Sequence, residues 1–151
     1  MAMVGSKTKT KETQKLKPAK SKKFIFAVGR RKTAVARVRL FRGKGEMVVN
    51  GISIEKYFPG EMAKVAWLKP FTATDTEGKY YATIKVGGGG KLAQLGAVVH
   101  GLARALDKEN KELYHSSLKK ANLLTRDPRA KERRKAGQMG KARKKKQSPK
   151  R

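Results

Sequence analysis

The sequence contains no cysteine, no long apolar run and few acidic residues. Without cysteine the chain forms no disulfide and offers no thiolate to a metal ion. Without an apolar run of about 18 residues, no membrane-spanning helix is predicted. The chain has 11 Asp and Glu residues and 39 Lys and Arg residues, so its formal net charge is +28. A chain that repels itself this strongly is expected to associate with a polyanion, either a nucleic acid or an anionic membrane surface.

Aromatic residues are absent from both ends of the chain. Residues 1–23 hold eight Lys and one acidic residue, and residues 126–151 hold thirteen basic and two acidic residues. Neither segment has the apolar periodicity of a chain that buries enough surface to fold. Residues 24–125 contain every aromatic residue, with 18 basic and eight acidic residues. We therefore predict one globular domain over 24–125, preceded by a flexible Lys-rich extension and followed by an extended basic tail that stays disordered until it binds an anion.

The stretch Gly29–Phe41 has apolar and cationic side chains at alternating positions. With the period of two residues that a strand has, one face is apolar, and Arg31, Arg37 and Arg39 form the other. Guanidinium groups suit phosphates and stacked bases better than ammonium groups do. The alternative interpretation is an ordinary solvated strand face. This stretch is predicted to be one long strand that presents its cationic face to a polyanion.

The rest of the domain alternates between strand and helix patterns, which predicts an α+β fold. A turn at Gly43–Gly45 is predicted to lead to an antiparallel partner strand at Glu46–Val49. A second clear strand is predicted from Tyr80 to Val86. It leads through four glycines into an amphipathic helix whose apolar stripe begins at Leu92. A further helix is predicted to begin after Asn110, which is a favourable N-cap residue.

The four glycines Gly87–Gly90 precede a helix, which is also the layout of a phosphate-binding loop. The nucleotide-binding motifs fail, because Leu92 stands where the P-loop requires Ser or Thr and no glycine completes the dinucleotide pattern. We therefore predict no cofactor. Gly88, Gly89 and Lys91 are instead candidates to bind a nucleic-acid phosphate through backbone amides and one cation, without catalysis.

The residue types that enzymes use for catalysis are sparse. The two histidines, His100 and His115, have no cysteine and no suitably spaced carboxylate beside them for a metal site. We predict that His100 is a hydrogen-bonding residue in a packed or RNA-facing position rather than a catalytic base. No catalytic residue and no metal site are predicted. A phosphate-transfer enzyme built on the glycine turn stays as an alternative that nucleotide binding would test.

The sequence contains four blocks in a specific order: Val28–Leu40, Val48–Gly51, Ile84–Leu106 and the stretch from Leu124 to the last residue. Together they resemble the bacterial form of the family of the ninth protein of the small ribosomal subunit, over residues 24–151. The resemblance implies a four-stranded sheet covered by helices, with a left-handed βαβ crossover where the general rule favours a right-handed one. It also implies a structural role in translation, in the head of the small subunit of a cytoplasmic ribosome, with an organellar ribosome as the minor alternative.

The resemblance implies binding to small-subunit ribosomal RNA and neighbouring head proteins, and contact of the C-terminal tail with the peptidyl-site tRNA. The final pair, Lys150 and Arg151, is expected to reach the tRNA. Bacterial members commonly have an aromatic residue shortly before this pair, whereas this chain has Ser148 and Pro149, so we expect contact by charge alone. The residues predicted to bind ribosomal RNA are Arg30, Arg31, Lys32, Arg37, Arg39, Gly88, Gly89, Lys91, Arg126, Arg129, Arg133, Arg134, Lys135, Lys141, Arg143, Lys144, Lys145 and Lys146.

A second class of protein also accounts for the charge, namely a free nucleic-acid-packaging or chaperone protein that coats DNA or RNA. It does not account for the ordered motifs. The basic strand, the glycine turn and both tails all favour a nucleic acid over a membrane, so no membrane partner is predicted.

Overall fold

The computed structural model describes residues 23–138 and 140–143. Within these residues the chain forms five strands and four helices. They are β1 (Ile25–Arg31), β2 (Ala34–Arg42), β3 (Val48–Val49), β4 (Ile52–Ser53), α1 (Ile54–Tyr57), α2 (Glu61–Thr72), β5 (Tyr80–Gly87), α3 (Lys91–Glu109) and α4 (Lys111–Lys120). None of the helices in this part of the chain is long and apolar enough to cross a membrane.

The strands form one mixed sheet in the order β1-β2-β5-β3-β4. β2 pairs antiparallel with both β1 and β5, whereas β3 pairs parallel with β5. The α+β class is confirmed. The expected four strands are wrong, because the chain turns at Asn50 and Gly51 and adds the two-residue strand β4 beside β3. The parallel pair β3 and β5 is joined by a connection that contains α1 and α2; its handedness stays a prediction.

The long strand predicted over Gly29–Phe41 is wrong, because the chain reverses at Lys32 and Thr33 to form a β1–β2 hairpin. Lys32 has a φ of +49°, a left-handed conformation that a two-residue hairpin turn needs and that lysine seldom adopts. No glycine marks this turn in the sequence. The hairpin predicted through Gly43–Gly45 is also wrong, since the second neighbour of β2 is β5.

The apolar face of the sheet packs against α3. The four alternate residues of β2 that were predicted to be apolar and inward are all buried, namely Ala34, Ala36, Val38 and Leu40. The side of α3 that meets the sheet is made mostly of small residues such as Ala97 and Gly101. Leu92, the predicted start of the apolar stripe, is 81% exposed. A helix with small side chains approaches a sheet closely, which leaves the larger Leu92 outside the contact.

Candidate nucleic-acid interface

The face of the sheet opposite α3 is open. Along β1, β2 and β5 the residues on this face are exposed or half-buried, in alternation with the buried residues of the other face. The register places Arg37 beside Val28 on one side and directly opposite Lys85 on the other. Arg39, two residues further along β2, is opposite Thr83. No acidic residue occupies this face of the three strands, so the cations there have no neutralising partner on it.

Arg31 does not lie on this open face. It pairs with Ala34 across the hairpin and therefore lies on the face that α3 covers, whereas its neighbour Arg30 lies opposite Val35 on the open face. The prediction that Arg31, Arg37 and Arg39 share one face is therefore wrong. The reason is the turn at Lys32 and Thr33, which breaks the alternation between the two strands.

Aromatic rings adjoin these cations at the end of the open face where β1 and β5 begin and β2 ends. Phe24 and Phe26 are 46% and 45% exposed. Phe41 stacks on Tyr81 with 5.1 Å between ring centroids and packs against Phe24 at 5.8 Å. The Arg39 guanidinium lies 5.2 Å from the centroid of the Phe24 ring, within the range of a cation–π contact. The open face thus combines rings and guanidinium groups.

Lys85 was not among the residues that the sequence predicted to bind RNA. The sequence did contain an indication, because Lys85 alternates with the buried residues Ala82 and Ile84 and the half-buried Val86 in a strand that was correctly predicted. What the sequence did not reveal is that β5 lies next to β2. That pairing places Lys85 opposite Arg37.

The acidic residues at the end of α3 lie away from the open face and have basic partners. Glu109 pairs with Arg42, and the hydrogen bond between them raises the pKa of the Arg42 guanidinium. Asp107 pairs with Nδ1 of His115 at 2.8 Å. The two acidic residues are thus paired with an arginine and a histidine.

His100 joins the start of the basic tail to the sheet. The backbone N–H of Arg30 donates to Nδ1 of His100 at 3.2 Å, so the proton of the neutral ring is on Nε2, which donates to the carbonyl of Leu124 at 3.2 Å. Burial lowers the pKa of His100, and the hydrogen bond to Leu124 offsets part of that effect. The predicted hydrogen-bonding role is confirmed.

Asp127 makes a second connection between the tail and the domain. Nη2 of Arg31 lies 3.3 Å from Oδ2 of Asp127, and Nε of Arg129 lies 3.1 Å from Oδ1. The hydrogen bonds from Arg129 are the main cause that lowers the pKa of Asp127 to about 2. Two of the predicted RNA-binding arginines therefore share one carboxylate, and Asp127 offsets part of their charge.

Packing and backbone conformation explain the glycines of this turn without a bound phosphate. Gly88 and Gly89 have φ values of +75° and +61°, which favour glycine. A Cβ on Gly88 would lie 2.6 Å from the carbonyl oxygen of Thr33, so the turn lies directly against the β1–β2 hairpin. The ammonium group of Lys91 lies 3.5 Å from the centroid of the Tyr57 ring. Phosphate binding by these residues stays a prediction.

The described part of the tail contains a turn of its own. The backbone N–H of Lys135 donates to the carbonyl of Lys141 at 3.2 Å, and Nε of Arg143 donates to Glu132 at 2.9 Å. That pairing lowers the pKa of the Glu132 carboxyl. The remaining predicted cations of this segment are exposed, namely Arg126, Arg133 and Arg134. The predicted residues Lys144, Lys145, Lys146, Lys150 and Arg151 lie outside the described residues, as does the predicted extension up to residue 22.

Among residues 23–138 and 140–143, no three His, Asp or Glu side chains lie close enough together to hold a metal ion. The structure thus combines an open cationic and aromatic sheet face with a basic segment that is connected to the domain through His100 and Asp127.

A family model described as Ribosomal protein S9/S16 matches residues 29–151. The match includes the hairpin, the glycine turn, α3 and the basic tail. The chain belongs to this family. Membership makes it a structural constituent of the small ribosomal subunit, found with the ribosome in the cytoplasm, and not an enzyme. The phosphate-transfer alternative is therefore wrong.

Two curated bacterial relatives carry the name Small ribosomal subunit protein uS9. One from Dehalococcoides mccartyi is 50% identical over 114 residues, covering 76% of this chain and 86% of the relative. One from Rickettsia africae is 48% identical over 147 residues, covering 94% of this chain and 91% of the relative. The second alignment spans more than residues 24–151 alone, so the similarity extends into the N-terminal segment.

Proposed function

We propose that this chain binds ribosomal RNA in the head of the small subunit through its open sheet face and its basic tail. The residues of the face are Arg30, Arg37 and Arg39, joined by Lys85; Lys32 lies in the hairpin turn at its end. Beyond the tail residues already described, Lys144, Lys145 and Lys146 continue the same basic segment. Neighbouring head proteins are the other expected partners.

The observation that supports this proposal best is the cross-strand pair of Arg37 and Lys85. Like charges directly opposite each other in a sheet are destabilising, and here they occupy an open face without an acidic residue. An anion on this face would remove the repulsion. Phosphates are the anions that a ribosomal protein meets, and guanidinium groups bind them in a bidentate manner.

We further propose that the tail ends at the peptidyl-site tRNA, with Lys150 and Arg151 in contact with its phosphates. The support is the family membership together with the charge of the tail, which has thirteen basic residues after Thr125. We also propose that the connection between β3 and β5 is a left-handed crossover, as expected for the family. Such a crossover requires a parallel pair of strands, and β3 and β5 are parallel.

Replacement of both terminal residues tests the tRNA contact. Small subunits that contain the Lys150→Gln, Arg151→Gln double variant should bind peptidyl-site tRNA more weakly, with a salt slope smaller by about 2, because two phosphate contacts are lost. A matched control is the Lys144→Gln, Lys145→Gln variant, which removes the same charge further from the end. Unchanged tRNA binding, or an assembly defect as large as that caused by loss of the whole chain, would contradict the proposal.

A further inference from the structure

We infer that the open sheet face receives unpaired RNA, with a base stacked on the ring of Phe26 and phosphates along Arg37, Arg39 and Lys85. The inference rests on the proposed RNA binding and goes beyond it, because it names the class of RNA. Single-stranded nucleotides, rather than a duplex, fit this surface.

The first observation is the exposure of the rings. Phe24 and Phe26 lie at the β1 edge of the sheet and are each nearly half exposed. Large apolar side chains that remain exposed beside cations gain free energy when a partner covers them. A nucleic-acid base supplies a flat apolar partner of matching size, and every base has such a face.

The second observation is that a ring and several cations occupy two adjacent rows of the open face. The register places Phe26, Arg39 and Thr83 in one row across β1, β2 and β5. The adjacent row on the same face consists of Val28, Arg37 and Lys85. One row thus offers a ring, a guanidinium and a hydroxyl group, and the next offers two cations, so a strand of RNA crossing the face meets base-stacking and phosphate-binding groups together.

The structure of RNA itself favours single strands over duplexes on this face. In A-form RNA the base faces are stacked inside the helix, so a protein contacts mainly the backbone and the shallow groove. A duplex would satisfy Arg37 and Lys85 but would leave the exposed ring of Phe26 without a stacked base. Unpaired nucleotides satisfy both groups, which is why sheets with exposed rings suit single-stranded RNA.

Binding of a labelled oligonucleotide to the full chain tests the inference. The probe is a ten-nucleotide single strand with 2-aminopurine at its centre, and its matched duplex is the comparison. Phe26→Ala should lower the affinity for the single strand about fivefold or more, with an unchanged salt slope, because stacking and not charge is lost. It should also reduce the quenching of 2-aminopurine, and it should leave duplex affinity unchanged.

Two further variants distinguish the loss of the aromatic ring from the loss of apolar surface and from the loss of charge. Phe26→Leu retains an apolar side chain at an exposed position, and it should show the same loss as Phe26→Ala. Lys85→Gln should weaken binding of both RNAs and reduce the salt slope by about 1. If Phe26→Ala leaves single-strand affinity unchanged, or lowers both affinities equally, the inference is overturned. If the unaltered chain binds neither RNA, the proposed function itself fails.

A crosslink in the assembled subunit identifies what covers the face. Small subunits that contain p-azidophenylalanine at position 26 should give a photo-crosslink to RNA, which mapping would place at an unpaired nucleotide. A crosslink to a paired nucleotide, to a neighbouring protein or to nothing would overturn the inference, because the ring would then contact a duplex, a protein or solvent.

Discussion

At Gly29 the backbone of β1 lies directly against the backbone of α3. A Cβ at this position would lie 1.9 Å from the carbonyl oxygen of Ala97 and 2.4 Å from the backbone nitrogen of Gly101. Both obstacles are backbone atoms of a helix, so no side-chain rotation relieves the overlap. The sheet and α3 pack at this distance only because residue 29 lacks a side chain.

Gly29→Ala should therefore destabilise the domain, by about 3 kcal/mol, because overpacking forces the helix away from the sheet. Urea unfolding measures the change in the free energy of unfolding. Gly87→Ala is the matched control, since a Cβ there meets no atom within 4 Å, and it should change stability by less than about 0.5 kcal/mol. Equal losses in the two variants would show that close packing at Gly29 is not required.

His100 makes the stability of the domain depend on pH. Its folded pKa lies below the ordinary value of 6.5 because the ring is partly buried. The unfolded chain therefore takes up the proton first, and the stability that His100 contributes is present above pH 6.5 and is lost as the pH falls from there through the folded pKa. Protonation of Nδ1 also removes the acceptor for the N–H of Arg30.

Thermal unfolding of the unaltered chain should accordingly shift to lower temperature as the pH falls from about 7.5 to about 5.5. His100→Gln should weaken this dependence, because no titrating ring remains at that position. His115→Gln, which alters the half-buried histidine beside Asp107, should retain it. A His100→Gln variant whose unfolding temperature follows pH as the unaltered chain does would refute this role for His100.

At the scale of secondary-structure elements, the sequence predicts a feature correctly where a single residue determines the local structure. Asn110 caps α4 by accepting from the N–H of Leu113, and Asn122 ends that region with a φ of +54°. The alternation along β2 also predicted which of its residues are buried. These features depend on neighbours within a few residues, which the sequence shows directly.

Pairing between distant strands could not be predicted in the same way. The turn at Lys32 has no glycine, and β3 has only two residues, so neither gives a strong pattern. The position of β5 between β2 and β3 depends on packing across the whole sheet. The candidate interface was therefore predicted in part: Arg37 and Arg39 were placed correctly on an exposed face, whereas Arg31 and Lys85 were not.

The Arg37–Lys85 pair predicts opposite effects on stability and on binding. Lys85→Gln should stabilise the free chain by about 0.5 kcal/mol, since it removes repulsion between residues directly opposite each other. The same variant should weaken RNA binding and lower its salt slope by about 1. Lys79→Gln, an exposed lysine outside the paired strands, is the matched control and should leave stability unchanged. A loss of stability in Lys85→Gln would contradict the repulsion on which the proposed interface depends.

At the scale of the whole molecule, charge dominates. A net charge of +28 in 151 residues opposes compaction of the free chain and favours any state in which phosphates neutralise it. Composition alone indicated this behaviour, and the order of the motifs indicated the family. Which face of the sheet is covered by α3 and which face is open, by contrast, could be identified only from the fold.

RNA binding by the full chain should therefore depend steeply on salt. If about six phosphates are neutralised, affinity for small-subunit RNA should fall about 1,000-fold or more between 50 and 200 mM salt, because bound counterions are released. Filter binding across this range measures the slope of log affinity against log salt. A slope near zero would mean that the surplus charge does not contact RNA.

A density map of the assembled small subunit containing this chain tests the central claim most directly. The map should show the open sheet face and the segment after Thr125 packed against ribosomal RNA in the head, with the C-terminal pair directed toward the peptidyl-site tRNA. A sheet face covered by protein or open to solvent, together with a tail that runs away from RNA, would contradict the proposed interface.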